Sequence, residues 1–282
     1  MKKLLCVALA LVLAFSFAAC GEKKTSSVTI AVPNDTSNEA RALLLLEALG
    51  YIEVDDKAGI TATIKDITSN PKNIKFNEIE AAQLPNVLKD VDYAVINGNY
   101  AIPAGLKPAD ALGIEGSASP YANILVVKEG NEKNPLILAL KAALESKQVQ
   151  DYIKKTYPDG SVVTTIDKPT DGYDASIDYA ALSGQTVSCA ATPAPHAEIL
   201  NNVVKDILAA KGITLKVVEY NDYVIPNNVV EDGEIDANYF QHDPYLNDFN
   251  KEQGTHLKSI AWIHCEPMGL FGGKQTTLDA LK

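Results

Sequence analysis

The stretch Ser27-Val-Thr-Ile-Ala-Val-Pro33, followed by Asn34-Asp-Thr-Ser-Asn-Glu39 and Ala40-Arg-Ala-Leu-Leu-Leu-Leu-Glu-Ala-Leu-Gly50, reads as strand, polar turn and helix. Its β-type run ends in proline, and Thr36 and Glu39 stand at capping-box spacing. The apolar run Ala40–Leu49 stops at Gly50, the glycine expected just past a helix end. The same rhythm returns later. Thr186–Ala191 leads through Thr192-Pro-Ala-Pro195 into a helical pattern over His196–Lys211, which Gly212 stops before a strand over Ile213–Tyr220. After each unit comes another strand entered through an acidic stretch, Val91–Asn97 in one case and Glu234–Phe240 in the other. Two β-α-β arrangements of like order predict two α/β lobes; a single larger sheet with a fortuitous echo is the alternative. In open α/β sheets ligands gather beyond the carboxyl ends of the strands, where Pro33–Asn38 and Thr192–Pro195 would lie. Two such ends facing each other make a cleft.

The 282 residues are 46% hydrophobic and 22% charged, which suits a folded chain rather than a disordered or multi-span one. A net charge of −11 argues against a nucleic-acid partner, which needs clustered Lys and Arg. Lys2 and Lys3 precede an apolar run Leu4–Phe17 and then Ala18-Ala19-Cys20-Gly21. That pattern predicts a secretory signal over 1–19, too short for a spanning helix. A cysteine directly after Ala-Ala resembles a bacterial lipobox, in which Cys20 carries lipid (palmitate-type chains) and 20–26 is a polar tether. A plain signal peptide cut nearby is the alternative. The mature chain is then expected on the extracytoplasmic face of the cell membrane. Cys189 and Cys265 read as small buried hydrophobes on strands rather than a disulfide. Ser161–Gln185, rich in scattered Asp, Thr, Pro, Gly and Ser, reads as a long surface linker.

Catalytic signatures are missing. There is no G-x-S-x-G, no H-E-x-x-H and no dinucleotide glycine pattern, and Gly272-Gly273-Lys274 lacks the first glycine and the Ser/Thr of a P-loop. Cys189 and His196 lack the electropositive setting that makes a thiolate. His264-Cys265-Glu266 converges poorly as a metal site, because neighbours in a strand point to opposite faces. No enzyme activity, metal or cofactor is expected.

Binding is easier to read. Arg41 is the sole arginine, in the first turn of the helix expected over Asn38–Leu49. Helix N–H groups, a positive dipole end and a guanidinium fork suit a carboxylate, and lysine cannot supply that planar contact. A surface ion pair with Glu39 or Asp35 is the alternative. Along Ala237–His242, alternation puts Asn238, Phe240 and His242 on one face. With Tyr223 and Tyr245, Phe240 and His242 can wall a slot for an apolar or thioether tail, or simply fill a core. Asn97 and Asn99 share one face of the other lobe's strand, where their amide oxygens could accept from an ammonium group. An α-amino acid with a fairly long uncharged side chain satisfies both lobes.

These segments carry a resemblance. Thr192-Pro-Ala-Pro-His-Ala-Glu-Ile-Leu200, Asn221-Asp-Tyr-Val-Ile-Pro-Asn227, Asp236-Ala-Asn-Tyr-Phe-Gln-His-Asp-Pro-Tyr-Leu246 and Glu266-Pro-Met-Gly-Leu270 resemble the NlpA lipoprotein family, methionine-binding lipoproteins of ABC importers. So do Val32-Pro-Asn-Asp-Thr-Ser-Asn-Glu-Ala-Arg-Ala-Leu43, Val95-Ile-Asn-Gly-Asn-Tyr-Ala101 and Ser119-Pro-Tyr-Ala-Asn123. The order departs from that family, whose members begin after the lipobox with the Thr192 segment and end near one like Asp151–Tyr157. The halves here look circularly permuted, with 161–185 joining the usual ends, which surface termini lying close together tolerate.

The resemblance implies an α/β, two-lobed, periplasmic-binding-protein-like (type II) fold hinged by two crossing strands, near Cys265–Leu270 and Ala122–Val127. One lobe would combine 27–118 with 268–282, the other 119–160 with 186–267. It further implies a side-chain slot at Tyr223, Phe240, His242 and Tyr245, and amino-acid backbone contacts at Arg41, Asn97 or Asn99, with Asn38 and Asn123 also candidates. The implied partners are methionine, an ABC permease with its cytosolic ATPase, and the bilayer through Cys20, with the protein a monomer. A methionine-containing dipeptide, another apolar amino acid, or an adhesive surface role are the alternatives.

Overall fold

The computed structural model describes residues 27–116 and 121–282. The expected signal (1–19), Cys20 and the tether (20–26) lie outside the described residues, as does Ser119. The strands, in chain order, are β1 (Thr29–Pro33), β2 (Glu53–Val54), β3 (Ile67–Ser69), β4 (Lys75–Ile79), β5 (Tyr93–Ile96), β6 (Ala111–Ile114), β7 (Ala122–Lys128), β8 (Val163–Thr164), β9 (Thr186–Ala191), β10 (Thr214–Glu219), β11 (Ala237–His242), β12 (Leu257–Cys265) and β13 (Gly269–Gly272).

They form two main sheets, ordered β4-β1-β5-β13-β6 and β10-β9-β11-β7-β12-β8, with β2 and β3 as a separate pair. In each main sheet the first three strands run parallel and the fourth is antiparallel to the third. That fourth strand is supplied from across the molecule. The chain leaves the first sheet at Ile114 and enters the second as β7 at Ala122, then leaves β12 at Cys265 and returns as β13 at Gly269. Residues 122–127, expected as a crossing, are therefore a central strand of the second sheet, and the crossing precedes them.

The inner parallel strands β1 and β5 are apolar because both faces are covered. All four residues of β5 are buried, and Ile30, Ala31 and Val32 of β1 are fully so. Helix α1 (Thr36–Ala48) covers one face, with Leu43 and Leu46 fully buried beside Val32 and Val95. Its cap differs from expectation. Asp35, not Thr36, is the N-cap and accepts from the Asn38 N–H at 3.1 Å, while Glu39 accepts from the Ile64 N–H at 2.8 Å. At the other end the Tyr51 N–H reaches the Leu46 carbonyl (3.0 Å) and the Gly50 N–H that of Glu47 (2.8 Å). With φ +80° at Gly50 this is the glycine-dependent Schellman closure.

The segment 161–185, read as a surface linker, is packed. Val162, Ile166 and Leu182 join the second lobe's core, β8 pairs with β12 as the edge strand of its sheet, and Tyr179–Leu182 is a short helix capped by Asp178. Its apolar residues are too sparse to show periodicity, so only tertiary packing reveals them. Cys189 is buried on β9 and Cys265 ends β12 half-buried; both are free thiols.

Candidate functional site

Four groups of side chains meet where the two sheets face each other across the crossings. The first centres on Arg41, in the second turn of α1 rather than the first. Its Nε lies 3.1 and 3.2 Å from the two Glu115 carboxylate oxygens, and Nη2 lies 2.5 Å from Glu115 Oε2 and 2.9 Å from the Glu266 carbonyl. The guanidinium carbon stands 4.4 Å over the Tyr121 ring, which meets His242 edge-on at 5.7 Å. Tyr121 thus touches both Arg41 and His242, and the side edge of Arg41 belongs to Glu115. The ion pair is neither with Glu39 nor Asp35.

The second group is aromatic. Tyr223, Phe240 and Tyr245 lie with ring centroids 5.7 to 6.2 Å apart. Sequence reading missed two members, Phe249 and Tyr100, which stand 6.1 Å from Tyr245 and 5.2 Å from Tyr223. Phe249 follows Tyr245 at the helical i+4 spacing within Asp243–Gln253, a signal that was available. The strict alternation expected along β11 fails. A bulge between Tyr239 and Gln241 turns Gln241 to the side of Asn238, where both bond Asn227. Tyr239 faces the opposite core, and Phe240 sits at the bulge, where one extra residue re-aims the strand.

Asparagines form the third. Asn97 and Asn99 do not share a strand face: β5 ends at Ile96, Asn97 caps the one-turn helix Gly98–Ala101, and Asn99 lies within it. Asn97 Nδ2 donates to Asn38 Oδ1 at 2.8 Å, and Asn99 Oδ1 accepts from the Tyr223 hydroxyl at 2.7 Å. Asn97 Oδ1 and Asn99 Nδ2 are buried without a hydrogen-bond partner. One is an acceptor and one a donor, so the turn offers both signs, not only the oxygens expected. Leaving either unmet costs roughly 1–3 kcal/mol.

The fourth group lies behind them. Asn123 Oδ1 and His196 Nε2 are 2.8 Å apart, His196 Nδ1 and the Thr192 hydroxyl 2.8 Å, and His264 Nε2 lies 2.6 Å from Glu266 Oε1. Tyr239 hydroxyl bonds His264 Nδ1, and Asn123 Nδ2 reaches Glu266 Oε1 at 3.4 Å. Sequence reading dismissed His264 and Glu266 as divergent, yet residues two apart share a strand face. Their ligand atoms and that of His196 lie within 4.8 Å of one another, so these three are the described residues that could hold a metal ion. The 2.6 Å separation is a hydrogen bond; two ligands on one tetrahedral zinc stand roughly 3.3 Å apart.

Burial sets the charge states. It holds His196 and His242 well below the ordinary imidazole range, with neighbouring His264 and Arg41 adding to the effect, and pushes the Tyr223 hydroxyl well above its own. Asp35 is raised by desolvation as well. The Cys265 thiol is pushed up to about 11 and Cys189 further, away from nucleophilic thiolate. A cavity of about 290 Å³ lined by Asp35, Tyr100, Asp222, Tyr223 and Tyr245 opens beside the aromatic group. A larger one of about 410 Å³ lies along α1, walled mostly by Leu44, Leu45, Leu49, Ile60 and Ile114.

A family model described as NlpA lipoprotein matches residues 24–166 and 187–282. The chain belongs to the NlpA lipoprotein family. Among its relatives, membrane lipoprotein TpN32 of Treponema pallidum is 48% identical over 142 residues, 50% of this chain and 53% of that protein. The D-methionine-binding lipoprotein MetQ of Escherichia coli is 40% identical over 136 residues, 47% of this chain and 50% of its own length. The chain spans about half the length of the curated relatives it matches. A nutrient-binding protein from Burkholderia cenocepacia solved with methionine is 47% identical over 47% of this chain and 56% of its own, at a TM-score of 0.46.

Proposed function

We propose that the chain is a lipid-anchored, extracytoplasmic substrate-binding protein that captures methionine between its lobes and hands it to an ABC permease driven by a cytosolic ATPase. The carrying observation is the pair of unmet buried amide atoms, Asn97 Oδ1 and Asn99 Nδ2, on one turn beside a ring-lined group. An ammonium suits the first and a carboxylate the second. Tyr223, Phe240, Tyr245 and neutral His242 suit a thioether tail, since sulfur near aromatic edges is favourable. Relatives named for binding D-methionine support the choice of ligand. Binding alone is proposed, with no chemistry on the ligand and the protein acting as a monomer.

We infer the permuted order as well. Its supports are the two separate family-matched blocks, the unmatched joint between them, and relatives that each align over about half of the chain. Strand order within each sheet is indifferent to which chain ends are joined.

Mass spectrometry of natively purified, then denatured protein tests the ligand, followed by thermal shift with L-methionine, D-methionine and a methionine dipeptide. Methionine is expected in the denatured sample, with an upshift on its addition, because a ligand of the folded state stabilises it by mass action. No upshift with any amino acid would sink the reading and favour an adhesive surface role. A shift with the dipeptide alone would replace the ligand.

A further inference from the structure

The only arginine is tied to both chain crossings. Glu115, just after β6, takes its Nε and Nη2, while the carbonyl of Glu266, just after β12, takes Nη2 from the other side. Glu115 is held in turn by the return crossing: its N–H donates to the Met268 carbonyl at 2.9 Å, and the Met268 N–H donates to Glu115 Oε2 at 3.3 Å. With the Arg41 side chain only 2% exposed, the carboxylate also neutralises a buried cation. The Nη1 N–H pair is what remains without a hydrogen bond among the described residues.

We propose that Glu115 is a positioning residue for ligand binding: it locks the Arg41 guanidinium against both crossings, leaving Nη1 to meet the ligand's carboxylate. This rests on the functional reading above. A free arginine side chain carries rotamer entropy, and fixing it beforehand removes that cost from the binding step. The Tyr121 ring lies under the guanidinium, 4.4 Å from its carbon. The arrangement holds while the lobes touch, since Tyr223 bonds Asn99 and the Tyr100 hydroxyl bonds the Asn221 carbonyl at 3.2 Å. Closure therefore does not require Glu115 to leave. Because the same guanidinium grips both crossings, ordering it and setting the hinge are one event.

The test compares L-methionine with methioninol, which keeps the tail and amine but lacks the carboxylate, by calorimetry and competition in wild type and Glu115→Gln. Methionine affinity is expected to fall about tenfold and methioninol affinity to stay within about twofold. Glu115→Asp, which keeps the charge at shorter reach, should show a smaller loss with the same selectivity, and serves if the glutamine variant does not fold. Equal weakening of both ligands, or unchanged methionine affinity, overturns the positioning role. A wild-type chain that binds no methionine overturns the functional reading instead.

Discussion

Arg41→Ala removes the cation that Glu115 and the Glu266 carbonyl share, and strands any ligand carboxylate. Calorimetry should find methionine binding weaker by about 2–4 kcal/mol; unchanged affinity would refute Arg41 as carboxylate partner. His242 makes a second prediction. Its folded pKa is depressed by burial, then by Arg41 and His264, so below about pH 6.5 the unfolded chain takes up a proton that the folded chain refuses. Stability from this group is thus whole above that pH and lost as pH falls beneath it. Urea unfolding at pH 7.5 and 5.5 should show wild type losing up to about 1.4 kcal/mol more than His242→Gln. Equal losses would mean that His242 titrates alike in both states. The variant comparison matters, because Asp35 and Glu39 are shifted upward and act with the opposite sign.

At the scale of elements, α1 depends on a cap one residue earlier than its sequence suggests. Asp35→Ala should cost about 1 kcal/mol in chemical unfolding, whereas Thr36→Ala should cost little. Legibility follows the same line. The strand-turn-helix rhythm was visible because its periodicity and Gly50 are local signals. Asn97 and Asn99 were placed on a strand because alternation cannot say where a strand stops, and the bulge at Phe240 leaves no mark in a run of apolar and polar residues. Gly98 looked unremarkable, yet a Cβ there would stand 2.5 Å from the Glu266 Cβ. Gly98→Ala should therefore push the short helix off the return crossing, costing about 1–3 kcal/mol and weakening binding, as thermal melts and calorimetry would report.

At the scale of the whole molecule, the two main sheets of the described residues exchange their fourth strands, β7 going one way and β13 the other. Neither lobe completes its sheet without the crossing chain, which couples lobe geometry to the segments that grip Arg41. If the chain is permuted, a rearranged gene that starts near Thr186 and joins Lys282 to Ser27 keeps every strand's neighbours. Its methionine affinity should match the parent within about threefold, since surface ends tolerate relocation. A large loss would show that the 161–185 joint, whose Val162, Ile166 and Leu182 pack into the core, is part of the site's support.

Sequence alone determined the lobed α/β pattern, the family resemblance, and most residues that gather at the crossings, because these rest on local periodicity and on residue chemistry that survives without coordinates. It also marked Arg41 as special through its solitude among lysines. Only tertiary structure decided what Arg41 touches. Glu115 lies far along the chain, and its meeting with Arg41 depends on two crossings whose register no local pattern encodes. The same holds for the buried His196–Glu266–His264 network and for the packed 161–185 segment: long-range contacts are set by how sheets face each other, not by the spacing of residues along them.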